Sequence, residues 1–481
     1  MNLRLVFYLI GILNLFLALS MTAPLAVAIG YNDGLAFAML HSILLTLLSG
    51  LILILFCRSP GQEIRHREGM AVVALGWLSA GFFGALPYYL SGIQASYLNC
   101  LFESLSGFTT TGASILTNIE ALPKGILFWR SLTHWLGGMG IIVMTIAILP
   151  LLGVGGMQLY KAEVPGPTAD KLQPRITETA KTLWKVYLIF TGAEVILLYF
   201  GGMDLFDSFC HTFGTLATGG FSTKNASIGH YQSVYFDVVI TVFMLLAGIN
   251  FALHYQALTG NLKAFYRNSE LRFFLCVFVL ATILVTWSIW RNNVPSLAES
   301  LHQASFQSAS ILTTTGYTTA DFERWPSLAR IILIILIFIG GSAGSTGGSI
   351  KCVRILLLLK HTYRELRGLI HPHAVIPIKL QGKVVPDDVL SSIWGFFILF
   401  LSLFLVASTI LTMMGIDLTT SFMAVAATIG NIGPGLGAVG PTDNYAHLPQ
   451  AAKVVLMLCM LLGRLEVYTV FILFVPEFWK K

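Results

Sequence analysis

The chain has 481 residues, of which 56% are hydrophobic and only 11% are charged, and it carries a net charge of +6 with a mean hydropathy of +0.77. Because a soluble globular protein carries about 25% charged residues, this composition excludes a surface that is mainly exposed to water. Apolar stretches of about 20 residues, the length that crosses a bilayer as a helix, recur along the chain and predict an all-α integral membrane protein in a lipid bilayer.

The first two apolar stretches lie near the N-terminus, at 5–29 and 35–57. The first is too long for the hydrophobic region of a signal peptide, so it is predicted to be a membrane helix. Eight further spans follow, and a total of ten places both termini on one side of the bilayer. Their predicted ranges are 70–92, 126–152, 183–203, 233–258, 272–290, 328–359, 390–415 and 450–476.

The distribution of Lys and Arg predicts which side that is. When the sides alternate, 21 of the 29 basic residues fall on the side that holds both termini, so the positive-inside rule makes this side cytoplasmic. The net positive charge is then explained by topology, and no nucleic-acid partner is predicted. The six cysteines lie singly, without a CxxC pair, which argues against a zinc site or a disulfide framework.

Four half-polar stretches are too short to cross the bilayer and are predicted to be re-entrant helices, at 97–111, 205–218, 299–315 and 419–432. Each leads to a short window that ends on a glycine. Ten positions before that glycine stands a large apolar residue, namely Phe102, Phe209, Phe306 and Met423. The predicted windows are Thr110-Thr111-Gly112, Ala217-Thr218-Gly219, Thr314-Thr315-Gly316 and Asn431-Ile432-Gly433.

The repeated unit is a span, a short helix, a glycine window and a second span. Four units are predicted at 69–160, 161–262, 263–375 and 376–481, and residues 1–68 hold two additional spans. Backbone carbonyls of an extended window can replace the water around a dehydrated cation, and the C-terminal ends of the short helices add partial negative charge. Since irregular backbone at membrane depth must be buried or line water, the four windows are predicted to surround one pore.

The windows, the repeated unit and a glycine-rich break in the eighth span resemble the Trk/Ktr/HKT superfamily of potassium transporters, and the two additional spans resemble its bacterial TrkH branch. The resemblance implies ten transmembrane helices plus four re-entrant pore helices with fourfold pseudosymmetry, and a selectivity filter made by the four windows. It implies K⁺ as the transported ion, no organic cofactor, a homodimer, and a cytosolic nucleotide-binding regulatory subunit of the TrkA type. The implied location is a bacterial inner membrane.

The break in the eighth span is Gly340-Gly341-Ser342-Ala343-Gly344-Ser345-Thr346-Gly347-Gly348-Ser349. Five glycines in ten residues disfavour a helix. The resemblance implies a gate here, an intramembrane loop that lies under the filter and blocks the pore until it moves. The alternative is a glycine-rich seam that packs helices together.

Arg464 lies in the middle of the last span, where a buried charge is costly and is usually functional or paired. Glu466 is a poor direct partner, because residues two apart on a helix do not face each other. We expect Arg464 to face the pore near the glycine-rich break, where it bonds loop carbonyls or repels cations in the closed state. The alternative is a structural pair with another helix.

A channel-like uptake protein is favoured over an ion-coupled symporter that moves K⁺ with H⁺ or Na⁺, because the sequence has a filter-like repeat and lacks inverted-topology symmetry. A membrane enzyme is not predicted, since the spans hold no cluster of catalytic polar residues. The segment from Gly435 to Gly440 matches GxGxxG but follows no strand, which argues against a nucleotide site in this chain.

Overall fold

The computed structural model of the protein describes residues 1–58, 66–148, 176–292 and 296–479. The predicted unit boundary at 160/161 lies outside these residues. Within them the chain is mainly helical. Among the described residues there is one two-stranded antiparallel sheet, a hairpin of β1 (Lys379–Leu380) and β2 (Lys383–Val384), in which Lys379 pairs with Val384 and Leu380 with Lys383.

The N-terminal helices are α1 (Leu3–Ser20), α2 (Thr22–Gly30), α3 (Ala36–Phe56), α4 (His66–Gly84) and α5 (Leu86–Leu90). Small residues let α1 and α3 approach closely, since a Cβ added to Gly11 would lie 2.9 Å from the Gly50 carbonyl oxygen. Asn14 links α1 to both neighbours. Its amide donates to the Ser49 hydroxyl at 3.1 Å and its carbonyl accepts from the Ser79 hydroxyl at 2.8 Å.

Helices long and apolar enough to cross a membrane number six among the described residues. They are Leu3–Gly30, Ala36–Phe56, Arg67–Leu90, Ala180–Phe200, Ser269–Asn292 and Asp387–Met413. The fourth predicted span corresponds to α7 (Lys124–Ile148). The eighth is divided into α15 (Ser327–Phe338) and α16 (Cys352–Ile370), which flank the glycine-rich break.

Two spans predicted to be continuous, 233–258 and 450–476, are sharply bent. The first divides into α10 (Val234–Ala247) and α11 (Phe251–Leu258) at 101°, where the Asn250 side chain accepts from the Ala252 amide and so caps a new helix. The second divides at 113° after α19 (Gln450–Arg464), where Glu466 and Val467 have φ of 57° and 55°. Hydropathy does not detect these bends, because both arms remain apolar.

The four short helices are α6 (Tyr97–Phe108), α9 (Leu205–Leu216), α14 (Leu297–Leu312) and α18 (Leu418–Ile429). Side chains of Asp204, Ser296 and Asp417 cap the last three by accepting a backbone N–H of the first turn. The remaining helices are α8 (Ile176–Phe200), α12 (Lys263–Arg267), α13 (Ser269–Asn292), α17 (Asp387–Met413), α20 (Tyr468–Phe471) and α21 (Pro476–Trp479), with 3₁₀ turns at Ser227–Tyr231, Phe322–Arg324, Gly437–Val439 and Ile472–Phe474.

Candidate functional site

Four glycines, one after each short helix, line a single cavity: Gly112, Gly220, Gly316 and Gly433. All four have left-handed φ, at 78°, 79°, 83° and 95°. A Cβ added to any of them would meet a backbone carbonyl oxygen of the next window in cyclic order. In the order of the four glycines, these oxygens and their distances from the added Cβ are Gly219 at 2.1 Å, Thr315 at 2.0 Å, Ile432 at 1.9 Å and Thr111 at 2.7 Å. The four backbones therefore close a ring that only glycine can complete.

Each window begins with the same turn at the end of its short helix. The first residue has positive φ in every case, 50° at Thr110, 54° at Thr218, 60° at Thr314 and 54° at Asn431. The amide of the second residue then donates to the carbonyl five positions earlier, at 2.8–2.9 Å. The pairs are Thr111 to Ser106, Gly219 to Gly214, Thr315 to Ser310 and Ile432 to Ala427. The windows thus share one backbone conformation.

This geometry corrects the alignment of the second window by one residue. Gly220, and not Gly219, is equivalent to Gly112, and Ala217 lies before the window as the C-cap of α9. The windows are hereafter window 1 (110–112), window 2 (218–220), window 3 (314–316) and window 4 (431–433). The residue ten positions before Gly220 is the fully buried Cys210, whereas Phe209 is 36% exposed.

The glycine-rich loop (340–349) is a true break between helices and is almost entirely buried. A parallel bridge between Ile339 and Ile350 closes it at its base, with the Gly340 amide donating to the Ile350 carbonyl at 2.9 Å. Glu270 on α13 holds its two sides together. One oxygen of this carboxylate accepts from the amides of Ala343, at 2.7 Å, and Val353, at 3.2 Å.

The loop packs against the C-terminal ends of the short helices. The Thr346 hydroxyl donates to the Leu216 carbonyl, the last of α9, at 2.9 Å. The Gly348 amide donates to the hydroxyl of Thr314, the first residue of window 3, at 2.6 Å. The glycine that ends each window lines the cavity, whereas the first residue of window 3 contacts the loop. The windows therefore lie between the cavity and the loop.

Arg464 lies against this loop. Its side chain is buried, and one terminal nitrogen donates to the Thr346 carbonyl at 2.7 Å. Its other two guanidinium nitrogens have no hydrogen-bond partner among the described residues. Glu466 pairs instead with Arg354, at 2.6 Å, and Arg354 lies 4.2 Å above the Phe396 ring. Arg464 therefore contacts the glycine-rich loop, and its expected role at the pore stays a prediction.

A buried ion pair lies behind windows 1 and 2. Its anion is Glu103, whose carboxylate accepts from the Ser114 hydroxyl and the Ile115 amide, both at 3.0 Å. Its cation is Arg130, at 2.7 Å. Arg130 also donates to the Ser222 carbonyl at 2.9 Å and stacks 3.6 Å above the Phe221 ring. No pattern near Arg130 in the sequence distinguishes it from an exposed outer cation.

Replacement of Gly220 with alanine should abolish ion flux. A Cβ there would lie 2.0 Å from the Thr315 carbonyl oxygen on a residue with φ of 79°, so window 2 or window 3 must move. Flux into proteoliposomes measures the effect. Gly192→Ala is the matched control, because nothing lies within 4 Å of its Cβ position. A G220A protein with normal flux would show that the ring is not closed as described.

Comparisons with known proteins agree along the whole chain. The family model described as TrkH, cation transport protein, matches residues 35–481. The Trk system potassium uptake protein TrkH of Escherichia coli K12 is 44% identical over 485 residues, covering 100% of both chains. The protein of the same name from Halomonas elongata is 41% identical over 484 residues, also covering 100% of both chains.

A solved structure gives the same result for the fold. The crystal structure of the potassium transporter TrkH from Vibrio parahaemolyticus superimposes with a TM-score of 0.92 at 38% identity, over 100% of each chain. The match extends through the two additional N-terminal spans. The chain therefore belongs to the TrkH family of cation transport proteins, and not to a family of enzymes.

Proposed function

We propose that the protein carries K⁺ into the cell through a channel-like pore whose selectivity filter is formed by the four windows. The observation that supports this most is the ring in which Gly112, Gly220, Gly316 and Gly433 each abut a carbonyl of the next window. Carbonyl oxygens around one axis replace the hydration shell of a cation, and the oriented ends of the short helices favour its charge. The relatives named above are potassium uptake proteins, which favours K⁺ as the ion.

In the proposed arrangement, ten transmembrane helices and four re-entrant helices form four pseudo-symmetric units at 69–160, 161–262, 263–375 and 376–481, after an N-terminal pair in 1–68. The chain lies in a bacterial inner membrane with both termini in the cytoplasm, as the distribution of Lys and Arg favours. A homodimer with a cytosolic nucleotide-binding subunit of the TrkA type is proposed from the family resemblance.

The glycine-rich loop is proposed to be the gate. Three observations support this: its position on the side of the windows opposite the cavity, the hydrogen bond from Gly348 to the Thr314 hydroxyl, and the Arg464 guanidinium on the Thr346 carbonyl. With the loop in place, a cation leaving the windows meets buried backbone and a buried positive charge. Opening then requires the loop to leave Thr314 and Arg464 together.

Ion flux into proteoliposomes tests the function. The purified chain is reconstituted, and K⁺, Rb⁺ and Na⁺ uptake are compared with and without the regulatory subunit and nucleotide. We expect K⁺ and Rb⁺ to enter faster than Na⁺, through discrete openings in single-channel recordings. A fixed H⁺:K⁺ or Na⁺:K⁺ stoichiometry would establish the symporter alternative, and no K⁺ movement under any condition would refute the proposal.

Replacement of Gly348 with alanine should raise the basal flux. A Cβ at this position would lie 2.5 Å from the Gly430 carbonyl oxygen and 3.0 Å from the Asn431 side chain, so the loop must withdraw from the windows. Gly368→Ala on α16, where nothing lies within 4 Å, is the control. If G348A conducts no more than the unmodified protein when no partner is present, the loop is not the barrier.

A further inference from the structure

Asn431 breaks the pattern of the windows. It occupies the position held by Thr110, Thr218 and Thr314, and its φ of 54° falls among theirs. Because threonine adopts this backbone conformation in three of the four windows, the conformation does not explain the asparagine. The difference must lie in what its side chain contacts.

The Asn431 amide makes two bonds that threonine cannot make. Its nitrogen donates to the Thr111 hydroxyl in window 1 at 2.9 Å, and to the Met460 carbonyl on α19 at 2.9 Å. A threonine hydroxyl has a single donor and a shorter reach. All three residues are fixed in place, since Asn431 and Thr111 are fully buried and Met460 belongs to a buried helix face.

Gly463 provides the space for this side chain. A Cβ there would lie 3.0 Å from the side-chain oxygen Oδ1 of Asn431 and 1.9 Å from the backbone carbonyl oxygen of Ile429. Window 4 therefore lies directly on α19 at this level. The side-chain oxygen Oδ1 of Asn431 has no hydrogen-bond partner among the described residues. The side-chain nitrogen alone therefore connects window 4 to window 1 and to α19.

The other seams between windows are held differently. The Tyr317 hydroxyl, beside window 3, donates to the His211 and Phe221 carbonyls at 2.9 and 3.2 Å. Arg130 reaches the Ser222 carbonyl after window 2. Between windows 4 and 1 an outer backbone bond from Tyr445 to Ser114 measures 2.8 Å. At the level of the window residues themselves, the Asn431–Thr111 bond holds this seam.

We propose that Asn431 is a specificity-determining positioning residue, which sets the distance between windows 4 and 1 through Thr111 and so the K⁺/Na⁺ discrimination of the filter. This rests on the proposed function. Thr111 also contacts Thr109 at 2.8 Å, so its hydroxyl is held on both sides. Without the Asn431 amide, the two windows approach each other more freely and coordinate the smaller Na⁺ better.

The test compares K⁺ and Na⁺ uptake in proteoliposomes for three single variants and their combinations. Asn431→Thr, which gives window 4 the residue of the other three, should lower the K⁺/Na⁺ flux ratio about fivefold, the effect of one buried hydrogen bond. Thr111→Val removes the acceptor at nearly constant shape and should lower the ratio similarly. The double variant should be no worse than either single variant, because both remove the same bond.

Thr315→Val is the additivity control. Thr315 is equivalent to Thr111 and contacts Thr313 at 2.8 Å in the same way, but it lies in window 3, and the Asn431 amide donates to Thr111 and Met460 instead. Its effect should add to that of N431T. A folded N431T protein with an unchanged K⁺/Na⁺ ratio, or full additivity of N431T and T111V, would overturn the proposal. Absence of K⁺ flux in the unmodified protein would instead overturn the proposed function.

Discussion

Replacement of Arg464 with alanine should raise basal K⁺ flux about tenfold to a hundredfold, the equivalent of one buried charge-assisted hydrogen bond. The variant loses the bond from the guanidinium to the Thr346 carbonyl, which holds the glycine-rich loop against the windows. It also removes a buried positive charge from the proposed ion path. Both losses favour conduction, and flux into proteoliposomes without the regulatory subunit measures their sum.

Two further substitutions separate the bond from the charge. Arg464→Gln retains a donor for the Thr346 carbonyl and lacks the charge. Arg464→Lys keeps the positive charge but places it on an ammonium group, whose donors are arranged differently from those of the planar guanidinium. Lys453→Met is the control on the same helix, because Lys453 bonds the Asn99 side chain at 3.1 Å and the Ala446 carbonyl at 2.9 Å, away from the loop. Unchanged flux in a folded R464A protein would remove Arg464 from the gate.

The second large effect concerns stability. Arg130→Met should lower the free energy of unfolding by about 3–5 kcal/mol, because it leaves the Glu103 carboxylate buried without its cation. The two side chains are only 3% and 1% exposed, so water does not replace the missing partner. Thermal unfolding in detergent, followed by size-exclusion chromatography, would show this as a large fall in melting temperature with loss of K⁺ flux.

The double variant Glu103→Gln, Arg130→Met should be more stable than R130M alone, since no uncompensated charge remains. Arg324→Met is the control for removal of an arginine from an ion pair. Arg324 lies 2.9 Å from Asp321 but is 87% exposed, so its loss should change the melting temperature little. Equal shifts for R130M and R324M would contradict the view that the buried pair supports windows 1 and 2.

Much of the architecture follows from hydropathy and repetition. The short helices begin within two residues of their predicted starts, as Tyr97, Leu205, Leu297 and Leu418 show. They end two to three residues earlier than predicted, because the left-handed turn at the start of each window already stops the helix. The bends at Asn250 and Val467 were missed, since a bend with apolar arms leaves no mark in composition.

The register of window 2 was missed for a local reason. Gly219 and Gly220 are adjacent, and the preceding threonine made Gly219 look equivalent to Gly112. Only the φ of 79° at Gly220 and its contact with the Thr315 carbonyl identify the correct glycine. Similarly, Glu270 and Arg130 act through partners 73 and 27 positions away, which no local pattern predicts.

All four windows belong to one polypeptide, and the side-chain connections at three of the seams differ: Arg130 between windows 1 and 2, Tyr317 between windows 2 and 3, and Asn431 between windows 4 and 1. In a ring of four identical subunits, a mutation in the ring is present four times, so its effects are large and seldom intermediate. Here one codon change alters a single quarter of the ring. Natural variation can therefore adjust ion preference in small steps. Homologous proteins should differ most in ion preference where the residues at their seams differ.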